Sequence, residues 1–316
     1  MVYIQDLKEG QHISQIFLCK QKTQAVSKTG RSYYSLKLQD KTGLLDAKVW
    51  ELNNAIEHFD PNDYILVEGE ITTFNNALQA NVRRIRRARD GEYDETDYLP
   101  ASDQNIEDMY AELMELKDKI ENPKLKQLVE SFFVQDPRFI AAFKGHSAAK
   151  SVHHNFIGGL LQHTLRVTQL CYFYSKQYPM LNRDLLLAAA MFHDIGKLRE
   201  LSDFPDNDYT DEGQLIGHIV IGYQMVKERI DKLGNFPKKL ETELLHCILA
   251  HQGQLEFGSP KKPSILEAMA LYYADDTDAK MEIMIEEFEK TSSTDFLGLN
   301  RFLGTNIRKT SKDAST

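Results

Sequence analysis

The chain has 316 residues, of which 42% are hydrophobic and 27% charged, and its formal net charge is −9. This length allows two domains, and no apolar run approaches the roughly 18 residues of a transmembrane helix. The first ten residues lack the basic start and apolar core of a signal peptide, and the three scattered cysteines form neither a CxxC pair nor a disulfide framework. We therefore expect a cytoplasmic protein without membrane contact.

The charge is divided unevenly along the chain. Residues 1–89 carry 13 Lys and Arg against 10 Asp and Glu, a net +3, which leaves −12 for the remainder. A mildly basic front end is compatible with nucleic acid touching that part, although small domains often differ by this much.

The first 90 residues alternate between apolar and polar side chains. In "RSYYSLKLQD", Tyr34, Leu36 and Leu38 fall on one face, and Tyr33 and Lys37 fall on the other. The turn "DKTG" precedes a returning strand, "LLDAKVWE". Further strand candidates are "QHISQIFLCKQ", "YILVEGEITTF" and "ALQANVRRIRRA". Five short strands predict a small closed barrel over residues 1–90.

The pattern becomes helical after an acidic, turn-rich linker at 91–105. We expect a helical connecting segment over 106–145, a helical domain over 146–305 and a polar tail over 306–316. No internal repeat is visible.

The stretch "AAAMFHDIGK" is the strongest chemical signal in the helical domain. Its apolar helix ends abruptly in His193 and Asp194, with Gly196 and Lys197 close behind. An imidazole and a carboxylate at the end of a buried helix are costly to desolvate unless something pairs with them, and a metal ion is one suitable partner.

Other histidines and aspartates lie in apolar helical stretches. A lone histidine there is usually a core residue bonded to a carbonyl, and a lone aspartate is usually a cap or a surface charge. The ordered set favours a metal site instead, because imidazole and carboxylate together suit first-row divalent ions and facing helices can hold such ligands. The set comprises His163, His193, Asp194, His218, His251 and Asp275.

The order His…His-Asp…Asp, centred on "HDIGK", resembles the HD phosphohydrolase superfamily. That resemblance implies an all-helical fold that binds divalent metal and hydrolyses phosphate esters. A narrower match covers nearly the whole chain: an OB-type barrel joined to an HD domain resembles the YhaM-type 3′-to-5′ exoribonucleases. The supporting stretches are "HHNFIGGLLQHT", "LNRDLLLAAAMFHDIGK", "YTDEGQLIGHIVIG" and "LEFGSPKKPSILEAMALYYADDTDAK".

The resemblance implies a multidomain fold, with a small N-terminal all-β OB-type barrel followed by an all-α HD domain. It also implies two divalent ions that share Asp194. The first would be held by His163, His193, Asp194 and Asp275, and the second by Asp194, His218 and His251. We expect manganese, while iron, cobalt and nickel remain open.

The implied activity is hydrolysis of single-stranded RNA from its 3′ end to nucleoside 5′-monophosphates, with single-stranded DNA left open. One alternative is an HD hydrolase of a free nucleotide or cyclic dinucleotide, whose barrel is an interaction module. Another is a non-enzymatic nucleic-acid-binding protein with a decayed HD domain. The sequence leaves the oligomeric state open, a homo-oligomer included.

Several positions in the helical domain keep two interpretations. Lys197 is a candidate catalytic residue beside Asp194, reaching a phosphate oxygen, or else a surface lysine at a helix end. Asp276 and Asp278 compete with Asp275, which we prefer.

Three further positions bear on the site. The histidine pair His153 and His154 would line a substrate channel or be purely structural. Gln252 stands where related sites often carry a second histidine. We place His246 outside the metal site because it is off the helical face of His251.

The barrel offers basic and aromatic side chains of the kind that hold single strands. The candidate nucleic-acid contacts are Lys28, Arg31, Tyr33, Lys37 and Phe74. The basic run "RRIRR" is either a further contact or a solvated strand edge. We interpret Trp50, the only tryptophan, as core packing.

Overall fold

The computed structural model describes residues 1–27, 30–75, 77–99, 102, 104–150, 156–289, 291 and 293–310. The chain divides into two compact units. The first comprises Met1–Ala101 with Phe204–Asp206, and the second comprises Ser102–Asp203 with Asn207–Thr316. Each unit has its own hydrophobic core.

The first unit is a closed five-stranded barrel in the order β1-β2-β3-β5-β4. Its strands are β1 (His12–Val26), β2 (Ser32–Asp40), β3 (Gly43–Val49), β4 (Tyr64–Phe74) and β5 (Ala77–Arg87). All pairings are antiparallel except that of β3 with β5. The predicted OB-type barrel is therefore confirmed.

The alternation that predicted the strands also determines the barrel core. Leu36 and Leu38 of β2 are buried, pair with Ala47 and Leu45 of β3, and share one core cluster with Phe59. Successive side chains of a strand point to opposite faces, so inward-facing residues leave their neighbours outside.

The interpretation of Trp50 as core packing is wrong. Its indole is 46% exposed, because Val49 points into the barrel and the next residue must point out. Instead, Trp50 lies beside the Tyr33 ring, with centroids 4.7 Å apart.

The second unit is helical, as predicted, and three of its helices begin at asparagine caps. Asn105, Asn122 and Asn182 accept hydrogen bonds from the first backbone N–H groups of α1, α2 and α5. The helices are α1 (Ile106–Lys117), α2 (Pro123–Phe133), α3 (Pro137–Gly145), α4 (Gly159–Gln177), α5 (Arg183–Phe192), α6 (Lys197–Glu200), α7 (Asp211–Leu215), α8 (His218–Leu233), α9 (Lys238–Ala250) and α10 (Leu266–Glu289).

Helix α5 is the central element of this unit. Every residue from Leu185 to Phe192 is buried, because α5 packs against α2, α4, α9 and α10. That packing explains an apolar run without a polar face.

Two further observations concern the described residues of this unit. The expected helical pattern stops at α10, and a small antiparallel pair follows, β6 (Leu299–Asn300) with β7 (Thr305–Asn306). In the ranges that the structure covers, every helix is too short or too polar to span a lipid bilayer.

Candidate metal centre and nucleic-acid face

Five helices bring the six predicted metal ligands together. His163 lies within α4, His193 and Asp194 follow α5, and His218 begins α8. His251 follows α9, and Asp275 lies within α10. Ligands at helix ends and on facing helices converge on one point, as helical bundles allow.

Gly196 explains why the turn after His193 and Asp194 lies so close to α8. A Cβ atom at Gly196 would stand 2.0 Å from the carbonyl oxygen of His218 and 2.6 Å from the backbone nitrogen of Gly222. The turn therefore requires glycine, and this close packing sets His218 against Asp194.

Asp194 faces a pair of histidines with each of its oxygens. Its Oδ2 lies 3.4 Å from Nε2 of His163 and 3.5 Å from Nε2 of His193. Its Oδ1 lies 3.5 Å from Nε2 of His218 and 3.6 Å from Nε2 of His251. The ligand atoms thus form two groups, each within 4.8 Å, that share Asp194.

Two of the imidazoles are oriented by backbone carbonyls. Nδ1 of His193 donates to the carbonyl of Ala190 at 2.7 Å, and Nδ1 of His251 donates to that of Ile248 at 2.7 Å. A carbonyl only accepts, so each Nδ1 carries a proton and each ring turns its Nε2 toward Asp194.

The other two imidazoles are oriented by carboxylates. Nδ1 of His163 donates to Oδ2 of Asp278 at 2.7 Å. Nδ1 of His218 donates to Oε1 of Glu200 at 2.9 Å. A carboxylate behind a histidine fixes its tautomer and strengthens it as a metal ligand.

These atoms fit a divalent cation. Nε2 of His163 and Nε2 of His193 lie 3.1 Å apart, and Nε2 of His251 is buried without a hydrogen-bond partner in the described part of the chain. Such a buried acceptor is costly to leave unsatisfied, and a cation at the shared focus would satisfy it. Nitrogen and oxygen donors together suit first-row divalent metals.

Electrostatics keep the two carboxylates in their ligand form. Burial alone would raise the pKa of Asp194, but Lys197, His193 and His163 outweigh burial and hold that pKa well below its usual range. For Asp275, burial is likewise outweighed, chiefly by the hydrogen bond from His163, and the pKa is about 2.

Two histidines of the cluster differ in protonation. Burial lowers the pKa of His193 to about 4, so His193 is neutral near pH 7. For His163, burial is outweighed by Asp194, Asp275 and Asp278, which raise the pKa of His163 well above its usual range. Because metal binding needs a deprotonated ligand, it would release the proton of His163.

Lys197 is part of this cluster. Its Nζ lies 2.6 Å from Oδ2 of Asp194, and its side chain is 14% exposed. The alternative of a surface lysine is therefore wrong, and Lys197 begins α6 instead of ending a helix.

The three competing aspartates of α10 have different neighbours. Oδ1 of Asp275 lies 3.1 Å from Nε2 of His163, whereas Asp276 pairs with Lys280 at 2.8 Å. Asp278 contacts the opposite nitrogen of His163. The geometry supports Asp275 as the ligand and gives Asp278 an orienting position.

Gln252 and His246 also have defined neighbours. Nε2 of Gln252 lies 3.3 Å from Nε2 of His218, so the glutamine amide borders the cluster. Nε2 of His246 accepts from the backbone N–H of Ser264 at 2.9 Å, which agrees with its exclusion from the metal site.

A cavity of about 250 Å³ opens onto the cluster. It is lined by Ala148, His163, Asp194, Lys197, Gln252, Phe257, Tyr272, Asp275, Asp276 and Ala279. The predicted channel residues His153 and His154 lie outside the described residues.

Two of the predicted nucleic-acid residues lie on the outer face of β2. Tyr33 stacks beside Trp50, with Nζ of Lys48 at 5.8 Å from the Tyr33 ring centroid. Lys37 pairs with Asp46 of β3 at 2.8 Å. Arg31 is exposed just before β2, whereas Lys28 lies outside the described residues.

Phe74 belongs to the other end of the barrel. It is 62% exposed at the end of β4 and pairs with Ala77. The parallel register of β3 with β5 places Ala77 beside Leu44, and the register of β2 with β3 places Tyr33 beside Trp50. Leu44 and Trp50 are six residues apart along the chain. Six strand residues span about 20 Å, so Phe74 and Tyr33 form no common platform.

The arginines of β5 are neutralised by neighbouring carboxylates. Arg83 and Arg84 pair with Glu70 and Glu68 at 3.4 and 3.7 Å. Arg86 pairs with Glu92 at 2.7 Å, and Arg87 with Asp63 at 2.8 Å. These pairs favour the solvated strand edge over a phosphate-binding strip.

Sequence reasoning missed Glu200 as a partner of the site and took Asp278 only as a rival ligand. Asp278 had a usable signal, because it follows Asp275 by three residues and so shares its side of the helix. Glu200 had none, since it is 18 residues from His218 and the two meet only in the folded chain.

Comparison with known proteins matches both units. Residues 19–88 match the OB-fold nucleic acid binding domain family, and residues 160–280 match the HD domain family. Two solved structures each cover 28% of this chain. A replication protein A heterotrimer bound to ssDNA is 15% identical, with 64% of that chain covered and a TM-score of 0.22. The second OB-fold domain of replication protein A from Methanococcus maripaludis is 19% identical, with 94% covered and a TM-score of 0.23. Scores this low support no argument about this chain.

A curated relative covers far more. The 3′-5′ exoribonuclease YhaM of Geobacillus sp. (strain WCH70) is 33% identical over 289 residues, which is 91% of this chain and 88% of that protein. With both domain matches in the expected order, this chain belongs to the YhaM family of 3′-5′ exoribonucleases.

Proposed function

We propose that this protein is a metal-dependent 3′-to-5′ exoribonuclease that hydrolyses single-stranded RNA to nucleoside 5′-monophosphates. The observation that carries the proposal is Asp194, each of whose oxygens faces the Nε2 atoms of two histidines. Family membership supports this activity over hydrolysis of a free nucleotide.

The proposal includes two ions, with manganese as the metal. One group of ligands is His163, His193, Asp194 and Asp275, and the other is Asp194, His218 and His251. Paired divalent ions activate water and neutralise charge on phosphate oxygens. The chain itself keeps the carboxylates of Asp194 and Asp275 ionised. It also orients the imidazoles through hydrogen bonds at their Nδ1 atoms.

Lys197 is proposed as a second catalytic residue. It is the one lysine or arginine among the described residues that line the cavity, and burial does not prevent it from remaining charged, because Asp194 raises its pKa. A charged ammonium at the cavity wall is suited to contact a phosphate oxygen of the substrate.

We assign substrate holding to the barrel, residues 1–90, and chemistry to the HD domain, residues 146–305. Tyr33 and Trp50 offer adjacent rings for base stacking, Arg31 offers charge for the backbone, and Lys37, which pairs with Asp46, stays a prediction as a backbone contact. Lys28, Phe74, His153 and His154 stay predictions as nucleic-acid contacts, and single-stranded DNA stays an open second substrate. The proposed location is the cytoplasm, which three free, buried cysteines support.

The test is to incubate the protein with 5′-labelled RNA and manganese, with and without EDTA. We expect stepwise shortening, nucleoside 5′-monophosphates as products, and no reaction in EDTA. His193→Ala and Asp194→Asn should abolish hydrolysis in a folded protein, whereas the control His246→Ala should not. Cleavage of a circular RNA at a comparable rate would contradict the exonuclease assignment.

A further inference from the structure

Phe257 is a large apolar side chain at the mouth of the metal-lined cavity. It lines the cavity together with the ligands His163, Asp194 and Asp275, yet its ring is 61% exposed. In the described chain, no aromatic ring or cation stacks on it. Of the two aromatic side chains that line this cavity, Phe257 and Tyr272, only Phe257 is exposed, so its ring is open to a ligand that enters the cavity.

The segment that carries Phe257 is held in place. The backbone N–H of Phe257 donates to the carbonyl of Gln254 at 3.2 Å, and that of Gly258 donates to Leu255 at 3.1 Å. Gly253, with a φ of +75°, lies flat against Tyr272, where an added Cβ would stand 2.3 Å from the ring. The loop therefore presents Phe257 on a firm base, six residues after the ligand His251.

The cavity is too small to enclose a whole nucleotide. At about 250 Å³, it is smaller than the roughly 300–1,000 Å³ of pockets that enclose a whole small ligand. A phosphate that reaches the metal ligands would therefore leave its base at the mouth, where Phe257 is exposed.

We propose that Phe257 stacks on a nucleobase adjacent to the scissile phosphate and so positions the RNA end at the metal centre. The inference rests on the proposed function and deepens it, since it adds a base-binding subsite of the helical unit. Stacking is tolerant of sequence because every base has a π face, which suits an enzyme that removes each nucleotide in turn.

The test compares protein variants on RNA that lacks a single base. The substrates are one 5′-labelled oligoribonucleotide, the same RNA with an abasic 3′-terminal ribose, and the same RNA with an abasic penultimate ribose. The variants are Phe257→Ala, Phe257→Leu and Phe257→Trp. The control is Phe173→Ala, which removes a ring of similar exposure, 55%, about 15 Å further along α4 from His163.

On intact RNA we expect Phe257→Ala and Phe257→Leu to lower kcat/KM roughly 5- to 150-fold, the range that loss of one stacked base implies, and mainly through KM. Phe257→Trp should retain wild-type activity, and Phe173→Ala should change nothing. On one of the two abasic substrates, wild type and Phe257→Ala should become equal.

The outcomes separate this inference from the function on which it rests. The stacking role alone is overturned if the wild type degrades RNA and Phe257→Ala has the same kcat/KM as wild type on every substrate. It is also overturned if Phe257→Ala lowers kcat/KM by the same factor on all three substrates. A wild type that leaves all three RNAs intact overturns the proposed function as well. Metal content and circular dichroism of each variant identify any loss that comes from misfolding.

Discussion

Glu200 holds His218 by two hydrogen bonds to one oxygen. Its Oε1 accepts from the backbone N–H and from Nδ1 of His218, each at 2.9 Å. Burial would raise the pKa of Glu200, but these bonds outweigh it and lower the pKa. A buried, ionised carboxylate therefore fixes both the start of α8 and the ring that begins it.

Replacing Glu200 by glutamine should weaken the binding of only one of the two proposed ions, the one held by His218. Glu200→Gln keeps the shape but removes the charge behind His218, and loss of such a partner typically costs about 10- to 100-fold in metal affinity. We expect hydrolysis to fall at limiting manganese and to recover at high manganese. Glu212→Gln, which breaks an exposed ion pair with Arg199, is the control. Equal activity of Glu200→Gln and wild type across a manganese titration would contradict this role.

Replacing Asp278 by asparagine should weaken the binding of the other proposed ion, the one held by His163. It accepts from Nδ1 of His163 and lies 3.8 Å from Arg166, so Asp278→Asn removes the charge behind a ligand of the first group. The expected loss in metal affinity is again about 10- to 100-fold. Elemental analysis at limiting manganese should find about one ion less per chain in either single variant. Loss of both ions in each variant would mean that the two sites fill together.

Gly196 should tolerate no side chain. In Gly196→Ala the new Cβ would meet the backbone of His218 and Gly222, and backbone cannot move aside as a flexible side chain can. We expect a destabilisation of about 3 kcal/mol or more with loss of bound metal. Gly145→Ala, at a position with nothing within 4 Å of the added Cβ, should stay within about 0.5 kcal/mol of wild type. Thermal unfolding followed by circular dichroism measures both.

The sequence predicted those features that depend on local pattern or on ordered residue types. Alternation identified all five barrel strands, and the order of His163, His193, Asp194 and Asp275 indicated an HD domain. The first follows from periodicity within each strand, and the second follows from the order of residue types along the chain, which is the order found in a known family.

Features that depend on distant partners were not accessible. Glu200 and His218 meet only after the chain turns back through α6 and α7. The arginines of β5 look like a phosphate-binding strip until the carboxylates of other segments pair with them. The outward position of Trp50, by contrast, was accessible from local pattern, because alternation along β3 turns Val49 inward and the next residue outward.

Removing metal should destabilise the helical unit and spare the barrel. An ion that binds only the folded state stabilises it by about 2.7 kcal/mol at a concentration 100-fold above Kd. Circular dichroism at 222 nm follows mainly the helices, whereas fluorescence follows Trp50, the only tryptophan, in the barrel. In thermal unfolding, EDTA should lower the midpoint followed by circular dichroism and leave the midpoint followed by fluorescence unchanged. Asp194→Asn should show no EDTA effect, and equal shifts of both signals would mean that the units unfold together.

Trp50 should contribute to RNA binding without contributing charge. Its exposed ring lies beside Tyr33, and a stacked base is worth about 1–3 kcal/mol, so Trp50→Ala should weaken binding of a long single strand by that amount. Because no phosphate contact is lost, the slope of log affinity against log salt should not change. Lys48→Ala, which removes the ammonium near the Tyr33 ring, should instead reduce the slope by about 0.7.

Fluorescence anisotropy with labelled RNA in EDTA, where the strand stays intact, measures both quantities across a salt series. Leu44→Ala removes a side chain that is 59% exposed at the opposite end of β3, and it should leave affinity and slope unchanged. If Leu44→Ala and Trp50→Ala weaken RNA binding equally, the RNA does not bind preferentially at the end of the barrel that carries Tyr33. If Trp50→Ala alters the slope as Lys48→Ala does, the tryptophan acts by shaping the charged surface, and stacking is not its role.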